Sequence, residues 1–262
     1  MLIYASIKMP TQAKRGAAQL TLDVARRPTG WGGWRPGAGR KPSGRRVGTP
    51  HRARPELSRH HPVHVVLKAA PEVGRLRKPK AYRALRAAAA HVLGRGDFRI
   101  VHVSIQHNHV HLLVEADDRT ALARGVQAFS IVAAKRLNAE LGRKTGRVFV
   151  HRYHATALTT PKQARHCLAY VLNNWRRHKE DRGGPAERRA HIDPYSSAIR
   201  FDGWRGIDGT FQLPEGYEPL PTAPPTVWLL TTGWRRHGLI DPHEVPADCR
   251  RAVTSARRTR AA

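Results

Sequence analysis

The sequence predicts an α+β fold in which helices pack on one face of an antiparallel sheet. Strand-like and helix-like segments follow one another in the order strand, helix, strand, strand, helix, strand, helix. Two of the predicted strands are separated only by a tight turn around His107 and Asn108, which is typical of an antiparallel hairpin.

The first half of this pattern contains two strands and a helix. The β-branched run at residues 63–68 predicts a strand, which Pro71 ends. Apolar residues at helical spacing over residues 80–93 predict a helix, which stops at Gly94. Residues 98–106 then form the second predicted strand.

The third predicted strand carries two histidines two residues apart. Alternate side chains of a strand point to the same face, so His109 and His111 project together, while Val110, Leu112 and Val114 enter the apolar layer behind them. Two adjacent imidazoles make half of a divalent-metal site. On its own, such a pair is more often a partly exposed polar face than a metal site.

The second half of the pattern predicts a helix, a strand and another helix. Asp117 or Asp118 caps the first of these helices, and residues 147–158 alternate well enough for the fourth strand. Pro161 opens the last helix, which runs to about Glu180.

The last predicted helix has one apolar and one polar side. Tyr170 and Asn174 lie four residues apart and are therefore neighbours outside the apolar stripe. This placement favours a chemical role, although surface tyrosines are common and the helix alone leaves the choice open. The apolar side is formed by Ala164, Leu168, Val171, Leu172 and Trp175.

The charge balance indicates a polyanionic partner. Lys and Arg total 47 against 19 Asp and Glu, a net charge of +28 in 262 residues, and nucleic acid is the leading candidate. A basic membrane-surface protein is the alternative, but no apolar run of about 18 residues is present, so we expect no membrane attachment. The two cysteines, Cys167 and Cys249, exclude a disulfide framework and fit the cytoplasm.

Basic segments flank the predicted core. Residues 1–56 are predicted to be a disordered basic arm, residues 57–200 the folded domain, and residues 201–262 a Pro- and Arg-rich extension. Arg40 and Lys41 stand in a short basic stretch of the kind that enters a DNA minor groove, and a solvated linker is the competing interpretation.

Three stretches together carry a family resemblance. The HxH strand continues as Leu112-Leu113-Val114, the amphipathic helix bears Tyr170 and Asn174, and Pro194-Tyr195-Ser196-Ser197 follows. In this order and spacing the sequence resembles the single-tyrosine HUH transposases, most of all their REP-associated tyrosine transposase branch.

The resemblance implies a ferredoxin-like sheet and an enzyme that nicks and rejoins single-stranded hairpin DNA through a 5′-phosphotyrosine. It implies Tyr170 as the nucleophile, and His109, His111 and Asn174 as ligands of Mg²⁺ or Mn²⁺. We expect DNA contacts from Arg40, Lys41, Arg176 and Arg177. Whether the protein is a monomer or a homodimer is left open.

Two other functions compete with this one. The first is a non-catalytic protein that binds hairpin DNA or RNA and keeps the fold. The second is a hydrolytic metal enzyme in which Tyr170 has no catalytic role. Covalent attachment of the protein to DNA, cleavage with free ends, and absence of cleavage separate the three.

Overall fold

The computed structural model describes residues 55–182, 191–206 and 216–247. Nearly all of the predicted N-terminal arm, including Arg40 and Lys41, lies outside these residues. The elements are β1 (Val63–Lys68), α1 (Pro79–Val92), β2 (Phe98–Ile105), β3 (His109–Ala116), α2 (Arg119–Glu140), β4 (His154–Ala157), α3 (Pro161–Arg177) and the short α4 (Trp228–Thr231).

The four strands form one antiparallel sheet in the order β2-β3-β1-β4. With α1 between β1 and β2, and α2 between β3 and β4, this is the ferredoxin-like arrangement. The predicted α+β class and sheet are therefore confirmed. The two histidine-bearing positions of β3 pair with the end of β1, because His111 lies opposite Val66 and His109 opposite Lys68.

The helices are distributed over both faces of the sheet, whereas the sequence analysis placed them on one. Val110, Leu112 and Val114 of β3 join the core under α1 and α2, as predicted. The opposite face holds a second core, in which Leu113 packs with α3 residues such as Leu168. β3 is buried on both faces, but the second face carries His109, His111 and Glu115 beside Leu113, so its alternation predicted one core only.

Side-chain caps fix the starts of the two longest helices. Asp118, one of the two predicted candidates, accepts a hydrogen bond from the backbone N–H of Ala121 at 2.7 Å. Thr160 accepts one from Gln163 at 3.2 Å, and Pro161 takes the first helical position of α3. Among the residues that the structure describes, no helix is both long enough and apolar enough to cross a membrane.

The segment around Asp193 covers the outer edge of β2. Tyr195 accepts a backbone hydrogen bond from Ile105 at 2.9 Å, and the hydroxyl of Ser197 accepts one from Val103 at 3.0 Å. The buried carboxylate of Asp193 holds this segment by two hydrogen bonds from the guanidinium of Arg77, at 2.9 and 3.0 Å. The edge strand is thereby paired instead of exposed.

The described residues beyond 200 pack into both cores, although their composition predicted an extension. Leu220 is buried under α1 and α2, and Trp234 is buried against α3. Between them, the carboxylate of Glu115 accepts hydrogen bonds from the backbone N–H groups of Thr226 and Val227 at 2.9 to 3.0 Å. A carboxylate of β3 therefore fixes the path of the chain from one core to the other.

We predict that Asp193→Ala lowers the free energy of unfolding by about 3–5 kcal/mol, because the buried Arg77 guanidinium loses its hydrogen-bonded counter-charge and keeps only Glu180, at 3.7 Å. The matched control is Asp202→Ala. Asp202 also pairs with an arginine, Arg235, at 3.0 Å, but its side chain is 84% exposed, so a loss below about 1 kcal/mol is expected. Urea unfolding of both variants measures the difference, and equal losses would contradict the structural role of Asp193.

Stability is also predicted to depend on pH through His102. Burial lowers the pKa of this imidazole to about 4, against the smaller opposing effect of Asp202. The unfolded chain, with an ordinary histidine pKa near 6.5, therefore binds the proton first as the pH falls. Between pH 6.5 and 4 this costs the folded state roughly 3 kcal/mol at most.

In His102→Gln, the loss of stability between pH 6.5 and 4 should be smaller than in the wild type. Urea unfolding at half-unit pH steps measures it. The same slope in both proteins would show that His102 does not carry the effect.

Candidate active site

A cleft of about 470 Å³ opens where β1, β3 and α3 meet. The cleft lies on the face of the sheet that α3 covers only in part. The lining consists of His64, Val66 and Lys68 of β1, Asn108, His109 and His111 at the start of β3, His151, Arg152 and His154 in and before β4, and Tyr170 of α3.

His111 lies at the centre of this cleft and is buried. Its Nδ1 is 2.9 Å from Nε2 of His64 on β1, and its Nε2 is 2.8 Å from the amide Nδ2 of Asn174 on α3. Burial removes water from both ring nitrogens of an imidazole, so each nitrogen needs a hydrogen-bond partner within the protein. Three elements are thus joined at one ring.

His109 lies beside His111 on the same face, as predicted. Their ring centroids are 4.6 Å apart, and Nδ1 of His109 is 2.8 Å from the side-chain oxygen of Asn108. Burial lowers the pKa of His109 to about 4, and the neighbouring His178 and His64 act in the same direction. The ring is therefore neutral at neutral pH, the state in which an imidazole binds a metal.

Tyr170 approaches both buried histidines edge-on. Its ring centroid lies 5.2 Å from that of His111 and 5.8 Å from that of His64. Asn174 follows one helical turn later on α3 and reaches the same His111 ring. The four residues that sequence reasoning singled out, His109, His111, Tyr170 and Asn174, are thus in one cluster.

The donor set suits a weakly held divalent cation. Oδ1 of Asn174 is buried and accepts no hydrogen bond within the described chain, so the amide whose Nδ2 contacts His111 keeps an unused hard acceptor. Two neutral imidazoles and an amide oxygen are ligands that Mn²⁺ or Mg²⁺ accepts when water or substrate oxygens complete the shell. In the described part of the chain, no group of three or more His, Cys, Asp or Glu side chains could hold a metal ion, so a site in this cluster needs the asparagine as well.

Sequence reasoning missed His64 and the basic rim formed by Lys68 and Arg152. The alternation of apolar residues in β1 could have predicted the positions of His64 and Lys68. Its Val63, Val65 and Leu67 enter the first core, so His64 and Lys68 must face the other side. Arg152 lies outside regular structure, where no periodicity predicts direction.

Arg176 and Arg177 are engaged by the C-terminal segment. Arg176 donates to the carbonyls of Pro242 and His191, both at 2.7 Å, and Arg177 donates to that of Pro246 at 3.1 Å. These contacts hold the segment against α3. Contact of either side chain with DNA stays a prediction, as does that of Arg40 and Lys41.

The comparisons with known proteins agree with the resemblance. Residues 58–174 match the family model described as "Transposase IS200 like", which confirms the predicted likeness to single-tyrosine transposases over that stretch. No curated protein matches the chain.

Two solved structures are similar to this chain, with low TM-scores and low sequence identities. The first is a REP-associated tyrosine transposase bound to a REP hairpin, with 19% identity, a TM-score of 0.39, and coverage of 50% of this chain and 74% of that one. The second is a protein from Deinococcus radiodurans R1, provisionally assigned as a transposase, with 14% identity, a TM-score of 0.33, and coverage of 52% and 97%. Scores this low carry no argument about activity.

Proposed function

We propose that this chain, whose residues 58–174 match the IS200-like transposases, is a metal-dependent enzyme that nicks and rejoins single-stranded hairpin DNA. One observation carries the proposal. Tyr170 and Asn174 lie one turn apart on α3, and both reach the His111 ring, beside which His109 stands. A nucleophile and a set of metal-binding groups therefore share one cleft within a single chain.

The charge of the cleft suits a phosphodiester. Lys68 and Arg152 line it, and the lining formed by the described residues contains no Asp or Glu. Cationic side chains attract the phosphate and hold it without reading sequence. We place the reaction in the cytoplasm, which the two cysteines fit, and on hairpin DNA, as the resemblance implies.

The phenol oxygen of Tyr170 attacks phosphorus in line. The bond between phosphorus and the 3′-oxygen breaks, a bond between phosphorus and Tyr170 forms, and the proton lost by the phenol is balanced by the one gained by the 3′-hydroxyl. A later 3′-hydroxyl reverses these steps and joins a strand. Because the phosphotyrosine keeps the energy of the broken bond, joining needs no ATP.

His109, His111 and Asn174 would hold the divalent cation, which when bound withdraws charge from the nonbridging phosphate oxygens. The neutral state of His109 supports this assignment, since a protonated ring has no lone pair to give. The unsatisfied Oδ1 of Asn174 supports it as well. With no carboxylate among these ligands, we expect weak binding in the absence of DNA.

The decisive measurement is a denaturing gel with single-stranded hairpin oligonucleotides labelled at the 3′ end and Mn²⁺ in the buffer. A labelled band that migrates with the protein supports the proposal. Cleavage with free ends supports the hydrolytic metal enzyme, and intact DNA supports the non-catalytic binder. Either of these last results overturns the proposal.

We predict that Tyr170→Phe lowers cleavage at least about 10³-fold and changes hairpin binding less than about threefold, because only the nucleophilic oxygen is removed. The matched control is Tyr195→Phe. The Tyr195 ring stacks on the guanidinium of Arg77 at 4.5 Å, outside the cleft, so this variant should cleave normally. Cleavage by Tyr170→Phe would eliminate the mechanism.

We further predict that His109→Ala and His111→Ala abolish cleavage, whereas millimolar Mn²⁺ partly restores Asn174→Ala. A site that loses one weak ligand of three can be refilled by mass action. Cleavage rates across a Mn²⁺ titration test this, with circular dichroism to verify folding.

The control for the histidine variants is His107→Ala. The His107 side chain is 58% exposed, lies 3.9 Å from the carboxylate of Glu180 and does not line the cleft, so its loss should leave cleavage intact. An inactive His107→Ala would mean that the metal-binding pair is His107 and His109 instead.

A further inference from the structure

We infer that His64, which no comparison assigns, is a positioning residue that holds His111 in the tautomer needed to bind the metal. This inference rests on the proposed function. His64 lies on β1, is only 5% exposed, and stacks on His111 with ring centroids 5.1 Å apart and an interplanar angle of 21°. The two rings meet through nitrogens 2.9 Å apart.

The contacts of His111 fix where its proton lies. Nδ2 of Asn174 is a donor only, so Nε2 of His111 accepts from it and carries no proton. A neutral imidazole then bears its proton on Nδ1, which donates to Nε2 of His64. Asn174 on α3 therefore donates a hydrogen bond to His111 on β3, and His111 donates one to His64 on β1.

This arrangement is the one that a metal-binding histidine requires. The nitrogen that binds must offer a lone pair, which Nε2 does once the side-chain amide of Asn174 turns to present Oδ1 instead of Nδ2 to the ion. The other nitrogen must donate its N–H to an acceptor that holds the ring in place. That acceptor is usually a carboxylate, a carbonyl or a water. Here it is a neutral imidazole, which orients His111 without adding negative charge to a cleft that must admit a phosphate.

The alternative is that His64 is a buried polar residue that serves packing alone. Its position argues against this, because the first core is filled by its neighbours Val63 and Val65, and His64 instead lines the cleft. Tyr170 also approaches the same ring, at 5.8 Å between centroids. A residue that served packing alone would have no reason to present its Nε2 to His111.

The test compares two amides of different reach. The side-chain amide of Gln places an oxygen where Nε2 of histidine lies, whereas that of Asn ends where Nδ1 lies. His64→Gln should therefore keep Mn²⁺ affinity within about threefold of the wild type. His64→Asn should weaken it about 10- to 100-fold. Binding of Mn²⁺ alone is measured from the electron paramagnetic resonance signal of the free ion, on full-length protein.

The control pair is His102→Gln and His102→Asn. His102 is likewise a buried histidine of the sheet, but it contacts Ser197 through Nδ1, at 3.1 Å, and does not line the cleft. Both substitutions should leave Mn²⁺ affinity unchanged. Thermal unfolding of all four variants separates loss of the metal site from loss of the fold.

The outcomes are distinguishable. A wild type that binds Mn²⁺, with His64→Asn weakened and His64→Gln not, supports the inference. Equal affinities in the two His64 variants, whether both normal or both weakened, overturn the inference and leave the proposed function standing. A wild type that binds no Mn²⁺ even at millimolar concentration overturns the inference, and the covalent band on the denaturing gel then decides the proposed function by itself.

Discussion

Burial of β3 on both faces is the constraint on which the site depends. One face of the strand lies under α1 and α2, and α3 covers much of the other. His111 therefore sits in a core, where an imidazole without hydrogen bonds would destabilise the fold by several kcal/mol. The contacts with His64 and Asn174 remove that penalty, and they also hold three elements in register. Chemistry and packing therefore use the same contacts.

The electrostatic potential of the cleft is positive because several acidic side chains are hydrogen-bonded or ion-paired outside it. Glu115, on the same face of β3, is turned toward the backbone of Thr226 and Val227. Asp193 is bound to Arg77 at the opposite edge of the sheet, and Glu180 lies against Arg75 at 2.7 Å. With these carboxylates committed to structure, Lys68 and the imidazoles set the potential, which suits a polyanion and weakens any resident cation.

Much of this could be predicted from the sequence, and the failures have physical causes. Strand alternation correctly placed His109 and His111 together, and helical spacing joined Tyr170 to Asn174, because both periods are local properties of the backbone. The second core was missed because the other side of β3 carries the polar residues His109, His111 and Glu115, with Leu113 as its one apolar side chain. His64 was missed because its role exists only through pairing with a strand that lies about 45 residues away in sequence. Proline-rich composition likewise hid the burial of residues such as Leu220.

The helix that bears Tyr170 is held from outside by a segment much later in the chain. Asn173 donates to the carbonyl of Asp241 at 2.9 Å, Arg165 pairs with Glu244, and Arg177 reaches Pro246. During synthesis, α3 therefore acquires these outer contacts only when residue 246 has left the ribosome, after Trp234 is already available to pack against it. The four-stranded sheet can form well before that point. Tyr170, which we propose as the nucleophile, is therefore fixed in position only after the sheet that carries the histidines.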